Sequence, residues 1–433
     1  MKEEAPFKRL YYGWLIVGVS IVSLTFWFGM RGIFSVFYVA LLEDFPWSRG
    51  GGAGAQSMSL IVYTIMAPIV GVLIDRFGPR RIIVPGILFM ASGLVFSASI
   101  QSLAQFYLLY GVLASIGAAS IGVVSYTAIL AHWFKKKRGA ASGLAVSGVG
   151  LGAFILVPVS QHFISLWGWR LAFVALGFLA LIFLLPLNSL FLRHKPQELG
   201  LYPDGVRGGG SSERGALEVM ASAWSETDWT LRKALRTGRF WALMIFPFCA
   251  VVPVYIVLVH NVQFLVDKGI EKMTAAFVFA FIGIISSAFR IFWGWLSDSF
   301  GREKTYTLGM ICMGIGICSL LLLEITGEKN LVYPFVLFLG SGWGATAPIF
   351  MSVAADLFQG RGFGAIYGMV EGSIGLGCAL GAWVAGFIFD KTQSYQWAFV
   401  LAASLSLVSC LFAWLAAPRK VRGTRKMKVK GKE

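Results

Sequence analysis

The chain has 433 residues, of which 57% are hydrophobic and 13% charged, and a mean hydropathy of +0.74. Soluble domains carry about 25% charged residues, so the composition excludes a water-soluble globular protein and points to a polytopic, all-α membrane protein. The formal net charge of +16 would suggest a nucleic-acid partner in a soluble chain; here the placement of the charges matters more than their sum, and the partner expected is the lipid bilayer, not nucleic acid.

Twelve apolar segments are predicted, near 12–40, 53–74, 82–101, 104–132, 140–166, 170–192, 240–265, 273–297, 305–325, 331–355, 363–388 and 395–417. Each is long enough for a hydrocarbon core of ~30 Å. With both ends placed in the cytoplasm, only Arg49, Arg170, Lys268, Lys272, Lys329 and Lys391 fall on the far side, and Arg31 and Arg290 lie within segments. Every other Lys and Arg is then cytoplasmic, a bias that orients the chain. The first segment lacks a small-residue cleavage pattern and is too long for a signal-peptide core, so it is expected to be retained. Cys249, Cys312, Cys318, Cys378 and Cys410 all fall in apolar segments without metal-ligand spacing and are expected to be small core residues. No nucleotide motif, metal cluster or nucleophile–base set is present, so neither a cofactor nor an enzymatic activity is expected.

Taken in order, Tyr11-Tyr12-Gly13-Trp14 supplies interfacial anchors. The first segment then carries Arg31, which shares a helical face with Trp27, Phe34, Ser35 and Tyr38 and is too far from either end to snorkel. The loop Glu43 to Arg49 follows, with Ser48 positioned to cap the second helix. Behind that helix comes Gly71-x-x-x-Asp75-Arg76-x-Gly78-Pro79-Arg80-Arg81, a charged turn in which Asp75, Arg76 and Arg80 are candidates for gating. Gly294, Asp298, Gly301 and Arg302 repeat the pattern 223 residues on. Arg138-Gly139 returns as Arg361-Gly362, Gly148 to Gly152 as Ser373 to Gly377, and Ala172-Phe173-Val174 as Ala398-Phe399-Val400. The chain is therefore two copies of a six-helix unit, 1–192 and 239–418. They are joined by a Gly- and Ser-containing cytoplasmic linker, 193–238, in which 216–236 has the spacing of a short amphipathic helix. A basic tail, 419–433, closes the chain and is attracted to anionic lipid.

The charged residues inside apolar segments are the candidate site. A guanidinium keeps its proton, and a charge at the bilayer centre costs about 2.5–3.5 kcal/mol on insertion scales, so Arg290 must face a wet cavity or a partner. Gly283, Ser286, Ser287 and Gly294 share its face and leave room for one. Glu371, on a face with Tyr367, Gly368 and Gly375, is either the partner of an arginine or a protonatable group, and it is the one carboxylate expected well inside a helix. Arg290, Arg31, Tyr367, Tyr126 and Asn261 are the candidate substrate-binding residues, Glu371 and His260 the candidate proton carriers, and Asp298 and Arg302 join the first charged turn as gating candidates.

Two six-helix units with this charged turn after the second helix, and a degenerate copy after the eighth, resemble the major facilitator superfamily. At a finer level, Tyr11-Tyr12-Gly13-Trp14, Pro46-Trp47-Ser48-Arg49, His132-Trp133-Phe134 with Arg138-Gly139, and Gly168-Trp169-Arg170 look like bacterial members of its monocarboxylate transporter and oxalate/formate antiporter branch. That resemblance implies alternating access around a site between the two bundles. It also implies proton-coupled symport of a monocarboxylate across a bacterial inner membrane, with Arg290-x-x-x-Gly294 matching the helix-8 motif that holds the substrate carboxylate. Anion exchange, or a non-transporting sensor with a transporter fold, are the alternatives. The chain departs from the pattern at Ser286, where animal-type monocarboxylate transporters have an aspartate. It departs again at Arg31, one residue out of register with their helix-1 lysine, and at Glu371-Gly372, where oxalate antiporters tend to have lysine before glycine. Tyr110-Gly111 stands where many proton-driven drug exporters carry arginine.

Overall fold

The computed structural model describes residues 11–134, 138–203, 229–358 and 363–416. The side chains of Asp75 and Asp298, the Arg361-Gly362 echo, the tail after 416 and all of the expected linker helix but its last residues lie outside that description. Within it, eleven helices are long and apolar enough to cross a membrane. The longest, Ala141–Phe191, reverses at Gly168 (φ 74°, ψ 166°), so there are twelve crossings, as predicted. A side chain would disfavour that positive φ.

Helix α1 runs as Tyr12–Gly32 and Phe34–Asp44, four residues beyond its predicted end. Helix α2 (Arg49–Phe77) starts earlier than predicted, because the Ser48 hydroxyl accepts from the Gly51 amide at 3.0 Å and the Gly-rich run becomes its first turn. Pro79 opens α3 (Pro79–Ser97) behind Gly78 at φ 85°. Helix α4 spans Leu103–Phe106, a π-helical stretch Tyr107–Ala114, Ser115–Ser120 and Val123–Trp133, broken at Ile121 and Gly122. Helices α5 (138–167) and α6 (169–191) flank Gly168. The second copy holds α7 (Gly238–Asp267), α8 (Lys272–Phe300), α9 (Arg302–Thr326), α10 (Val332–Gly344 with Thr346–Leu357), α11 (Phe363–Thr392) and α12 (Gln396–Ala416). Gly301, at φ 103°, repeats the turn of Gly78.

Glycines give the repeat its physical meaning, because a matched set of them marks where neighbouring helices pack at closest approach. A Cβ on Gly93 would lie 2.6 Å from the Ala114 nitrogen, and one on Gly316 would lie 2.6 Å from the Leu339 nitrogen. Gly117 meets Met90 as Gly342 meets Met313, and Gly86 meets Ser120 as Gly309 meets Ala345. The same contacts thus seal α3 to α4 and α9 to α10. A Cβ on Gly152 would run into the Thr25 carbonyl on α1, and one on Gly377 would lie 2.9 Å from the Phe248 carbonyl on α7. Between the copies the correspondence crosses over: Gly150 on α5 abuts Ser287 on α8, and Gly375 on α11 abuts Thr64 on α2. Where lipid offers no hydrophobic drive between helices, such small-residue contacts provide the packing, and large side chains such as Ile291 and Leu407 point outward to the lipid. Cys318 is exposed as well, and Cys312 and Cys410 half-buried, which corrects the expectation that all five cysteines are core residues.

The first and last described residues, Tyr11 and Ala416, lie on one face, here the terminal face; the opposite one is the distal face. Hydrogen bonds from α2 to α7 and α11, and from α8 to α1, join the copies near the distal face. In the terminal half, a Cβ on Gly143, Gly364, Gly368 or Gly372 would meet nothing within 4 Å. The cleft between the bundles is therefore closed distally and open toward the terminal face.

This packing is tested by Gly152→Val, whose side chain would press on the Thr25 carbonyl. Overpacking of this kind costs about 1–3 kcal/mol. The detergent-purified variant is expected to melt several degrees below the parent, while Gly364→Val melts with it; equal melting of both would mean that α1 and α5 are not held by backbone contact.

Candidate functional site

Arg31 lies on α1 near its interruption at Ile33, a point where a helix-interior cation is surrounded by the first bundle. Its guanidinium carbon is 4.4 Å from the ring centre of Trp27 and 3.9 Å from that of Tyr63 on α2. Aromatic faces attract a cation without neutralising it. No carboxylate among the described residues pairs with it, and its Nη2 has no hydrogen-bond partner, nor does Trp27 Nε1. Two small cavities of ≈ 20 Å³ each meet at this side chain. One reaches Gln56, Tyr255 and Phe279 between the bundles, and the other reaches Ser59, Tyr110 and Ser115 inside the first.

Arg290 belongs to the second bundle. Gly344 allows α10 to approach the backbone of α8 there, since a Cβ would lie 2.8 Å from the Ser286 carbonyl and 3.2 Å from the Arg290 nitrogen. The approach brings Trp343 under the guanidinium, with 5.5 Å from Cζ to the ring centre. Arg290 Nε and the neighbouring Ser286 hydroxyl have no hydrogen-bond partner. Trp343 in turn packs on Phe28 of α1, ring centres 5.8 Å apart, and Phe28 adjoins Trp27. The two arginines thus face each other's bundle across a bridge of aromatic rings. Tyr255 on α7 lies within electrostatic range of both.

Glu371 sits on the open stretch of α11 and is exposed to the cleft. Tyr367 is beside it one turn earlier, and Tyr63 of the first bundle is within electrostatic range. Tyr63 therefore has the Arg31 cation over its ring and the Glu371 carboxylate nearby. The structure brings Arg31, Arg290, Tyr367 and Glu371 to the cleft.

Other candidates stand elsewhere. Tyr126 is fully buried in the first bundle, where its hydroxyl donates to Asn188 Oδ1 at 2.6 Å. Asn261 is buried, and its amide donates to the Val257 and Leu258 carbonyls of its own helix. His260 bridges the distal side: Nε2 is 2.9 Å from the Ala382 carbonyl and Nδ1 is 3.2 Å from the Tyr395 hydroxyl. Of the gating candidates, Arg80 donates to the Leu190 carbonyl at 2.6 Å within the first copy. Arg302 pairs with Asp356 at 3.1 Å and donates to Ser297 within the second, and Arg76 is exposed beside Phe77. Each described contact of this set ties a bundle to itself. Tyr63 and Trp343 were not singled out from sequence, because 15% of the chain is aromatic and nothing local distinguishes a cleft aromatic from a lipid-facing one.

The model of the Major Facilitator Superfamily matches residues 19–370 and 348–432. Bovine monocarboxylate transporter 13 is 27% identical over 399 residues, covering 92% of this chain and 87% of its own. Human monocarboxylate transporter 2 is 24% identical over 445 residues, covering 96% and 89%. Among solved structures, a bacterial homologue of the human lysosomal transporter Spinster, captured inward-facing and unoccupied, superposes with a TM-score of 0.73 at 16% identity, covering 97% of this chain and 99% of its own. A D-xylose-proton symporter superposes at 0.72 and 17% identity, covering 93% and 97%. With twelve crossings in two glycine-sealed copies and a cationic cleft between them, the chain is a transporter that belongs to the major facilitator superfamily.

Proposed function

We propose that this transporter carries a small organic anion, a monocarboxylate, together with a proton, and that it does so in the inner membrane of a bacterium with both termini in the cytoplasm. The orientation is supported by the Lys/Arg bias and the bacterial setting by the sequence motifs quoted above. One observation carries the substrate class: Arg31 and Arg290, one from each bundle, both reach the cleft with unpartnered N–H groups and no carboxylate neighbour among the described residues. Buried donors cost free energy unless paired, and a carboxylate supplies the missing acceptors and charge. The names of the curated relatives agree with that reading.

In this mechanism Arg290 grips the carboxylate through two parallel N–H bonds, and Arg31, steadied by Trp27 and Tyr63, adds the second cation from the opposite bundle. The substrate thereby bridges both bundles, and its binding energy favours their closure. Tyr367 lines the path. Neither guanidinium can release a proton, so the coupled proton resides on Glu371, whose charge Tyr63 links to Arg31. Tyr126, Asn261 and His260 have no part in it. The charged turns at the terminal face keep each bundle rigid as it rocks. Anion exchange is the second reading, favoured by Ser286, because the position one turn before Arg290 has no acid to take up a proton.

Two substitutions test these roles in proteoliposomes, using acetate, lactate and pyruvate as probes. Arg290→Lys keeps the charge but loses the planar fork, and is expected to weaken binding tenfold or more in a thermal-shift titration; unchanged affinity would remove Arg290 from the site. Glu371→Gln is expected to abolish uphill uptake driven by an inward proton gradient while retaining counterflow exchange. Wild-type concentrative uptake in that variant would assign the proton elsewhere, and a wild type that exchanges anions but ignores the pH gradient would establish the exchange reading.

A further inference from the structure

The distal closure centres on Arg49, the first residue of α2. Its backbone amide donates to Asp390 Oδ1 at 2.7 Å, and that of Gly50 to Asp390 Oδ2 at 2.8 Å. A carboxylate from α11 thus caps a helix of the other bundle, where the orphan amides and the positive end of the helix dipole favour an anion. The side chain of Arg49 reaches back across the same boundary. Nη1 donates to Asp267 Oδ2 at 2.5 Å and to the Tyr395 hydroxyl at 2.9 Å, and Cζ lies 3.6 Å from the Phe389 ring centre. Because Tyr395 accepts from Arg49, its proton is free to point at His260 Nδ1, and the other ring nitrogen then carries hydrogen toward the Ala382 carbonyl. Gly386 permits all this: a Cβ there would sit 2.7 Å from the Arg49 carbonyl carbon.

The internal repeat provides a built-in comparison. Lys272, the first residue of α8, stands 223 residues after Arg49 and pairs with Glu43 at the end of α1, at 2.6 Å. Each copy therefore sends the cation that opens its second helix to an acid at the end of the other copy's first helix. The two locks are not equal. The Lys272 and Glu43 side chains are 42% and 53% exposed, those of Arg49 and Asp267 17% and 31%, and exposed pairs contribute little. At the repeat position of Asp390 stands Ser165, which donates to the carbonyl of Gln161 in its own helix, and α8 has no side-chain cap.

We infer that Arg49 and Asp390 form the latch that holds the distal side shut and so sets the balance between inward-open and outward-open states, while the quasi-equivalent Lys272–Glu43 pair does not. This rests on the transporter reading above and on its orientation, in which the distal face is extracellular. Outward opening has to break both cap bonds and the ion pair together, since each of the three has Arg49 or Asp390 at one end and crosses the boundary between the bundles.

Accessibility measurement separates the latch from a merely structural contact. Ser35, 1% exposed and lining the cavity at Arg31, is changed to Cys and labelled in intact cells with a membrane-impermeant maleimide, with the parent chain as background. Asp390→Asn is expected to raise the labelling rate about tenfold and Lys272→Ala less than twofold. Gly386→Ala, which alters no charge but pushes on the Arg49 backbone, is expected to raise it too, and it carries the test if Asp390→Asn fails to insert. A control, Thr392→Cys on the distal surface, is expected to label from outside in every variant; if it labels only from inside, the orientation fails and the same Ser35→Cys comparison is run on inverted vesicles. Unchanged Ser35→Cys labelling in both Asp390→Asn and Gly386→Ala, or equal effects of Asp390→Asn and Lys272→Ala, would overturn the latch.

Discussion

A guanidinium that cannot give up its proton and cannot rest in hydrocarbon is the constraint on which this molecule depends. Arg31 and Arg290 stand inside helices of different bundles, and the protein neutralises neither with a described carboxylate. It gives each an aromatic face instead, Trp27 and Tyr63 for one and Trp343 for the other. Such faces attract charge without cancelling it, so both cations stay available to a visiting anion. A cleft open to water on one side follows, because a dry interface between the bundles would trap them.

Packing supplies the rigid bodies that the cleft separates. Within each copy, glycines bring α3 against α4 and α9 against α10 at backbone contact, at positions that match between the copies one for one. Between the copies, Gly150 against Ser287 and Gly375 against Thr64 form two mirrored contacts near the level of the arginines. These contacts involve small residues and few hydrogen bonds, a surface over which two bundles can rock. The polar bonds between bundles collect at the distal end, where Arg49 meets Asp267, Asp390 and Tyr395.

Symmetry also shows where the copies diverged. Arg49 and Lys272 are repeat equivalents at the start of α2 and α8, yet only the first is capped from across the boundary. The cleft is equally lopsided: Glu371 on α11 faces it, whereas the matching position on α5 is Val146. The cleft carboxylate thus belongs to one copy of the duplicated scaffold, with Tyr63 between it and Arg31.

The sequence by itself determined the twelve crossings and the internal repeat, and it picked out the charged residues inside helices as candidates, because hydropathy, repeat spacing and the cost of a buried charge are local and additive. Partnership was not legible. Nothing in the spacing of Tyr126 or Asn261 reveals that the hydroxyl of the one and the amide N–H groups of the other are committed inside a bundle, nor that Arg302 turns to Asp356 in its own copy. Arg49 reads as a loop residue, and its partners lie 218 and 341 positions away. The repeat held a clue, since Asp44 and Asp267 are equivalents as Arg49 and Lys272 are, but direction of pairing is set by how two bundles face each other. Only the tertiary structure decides that, because a contact between distant helices depends on their rotation and depth, which no single segment encodes.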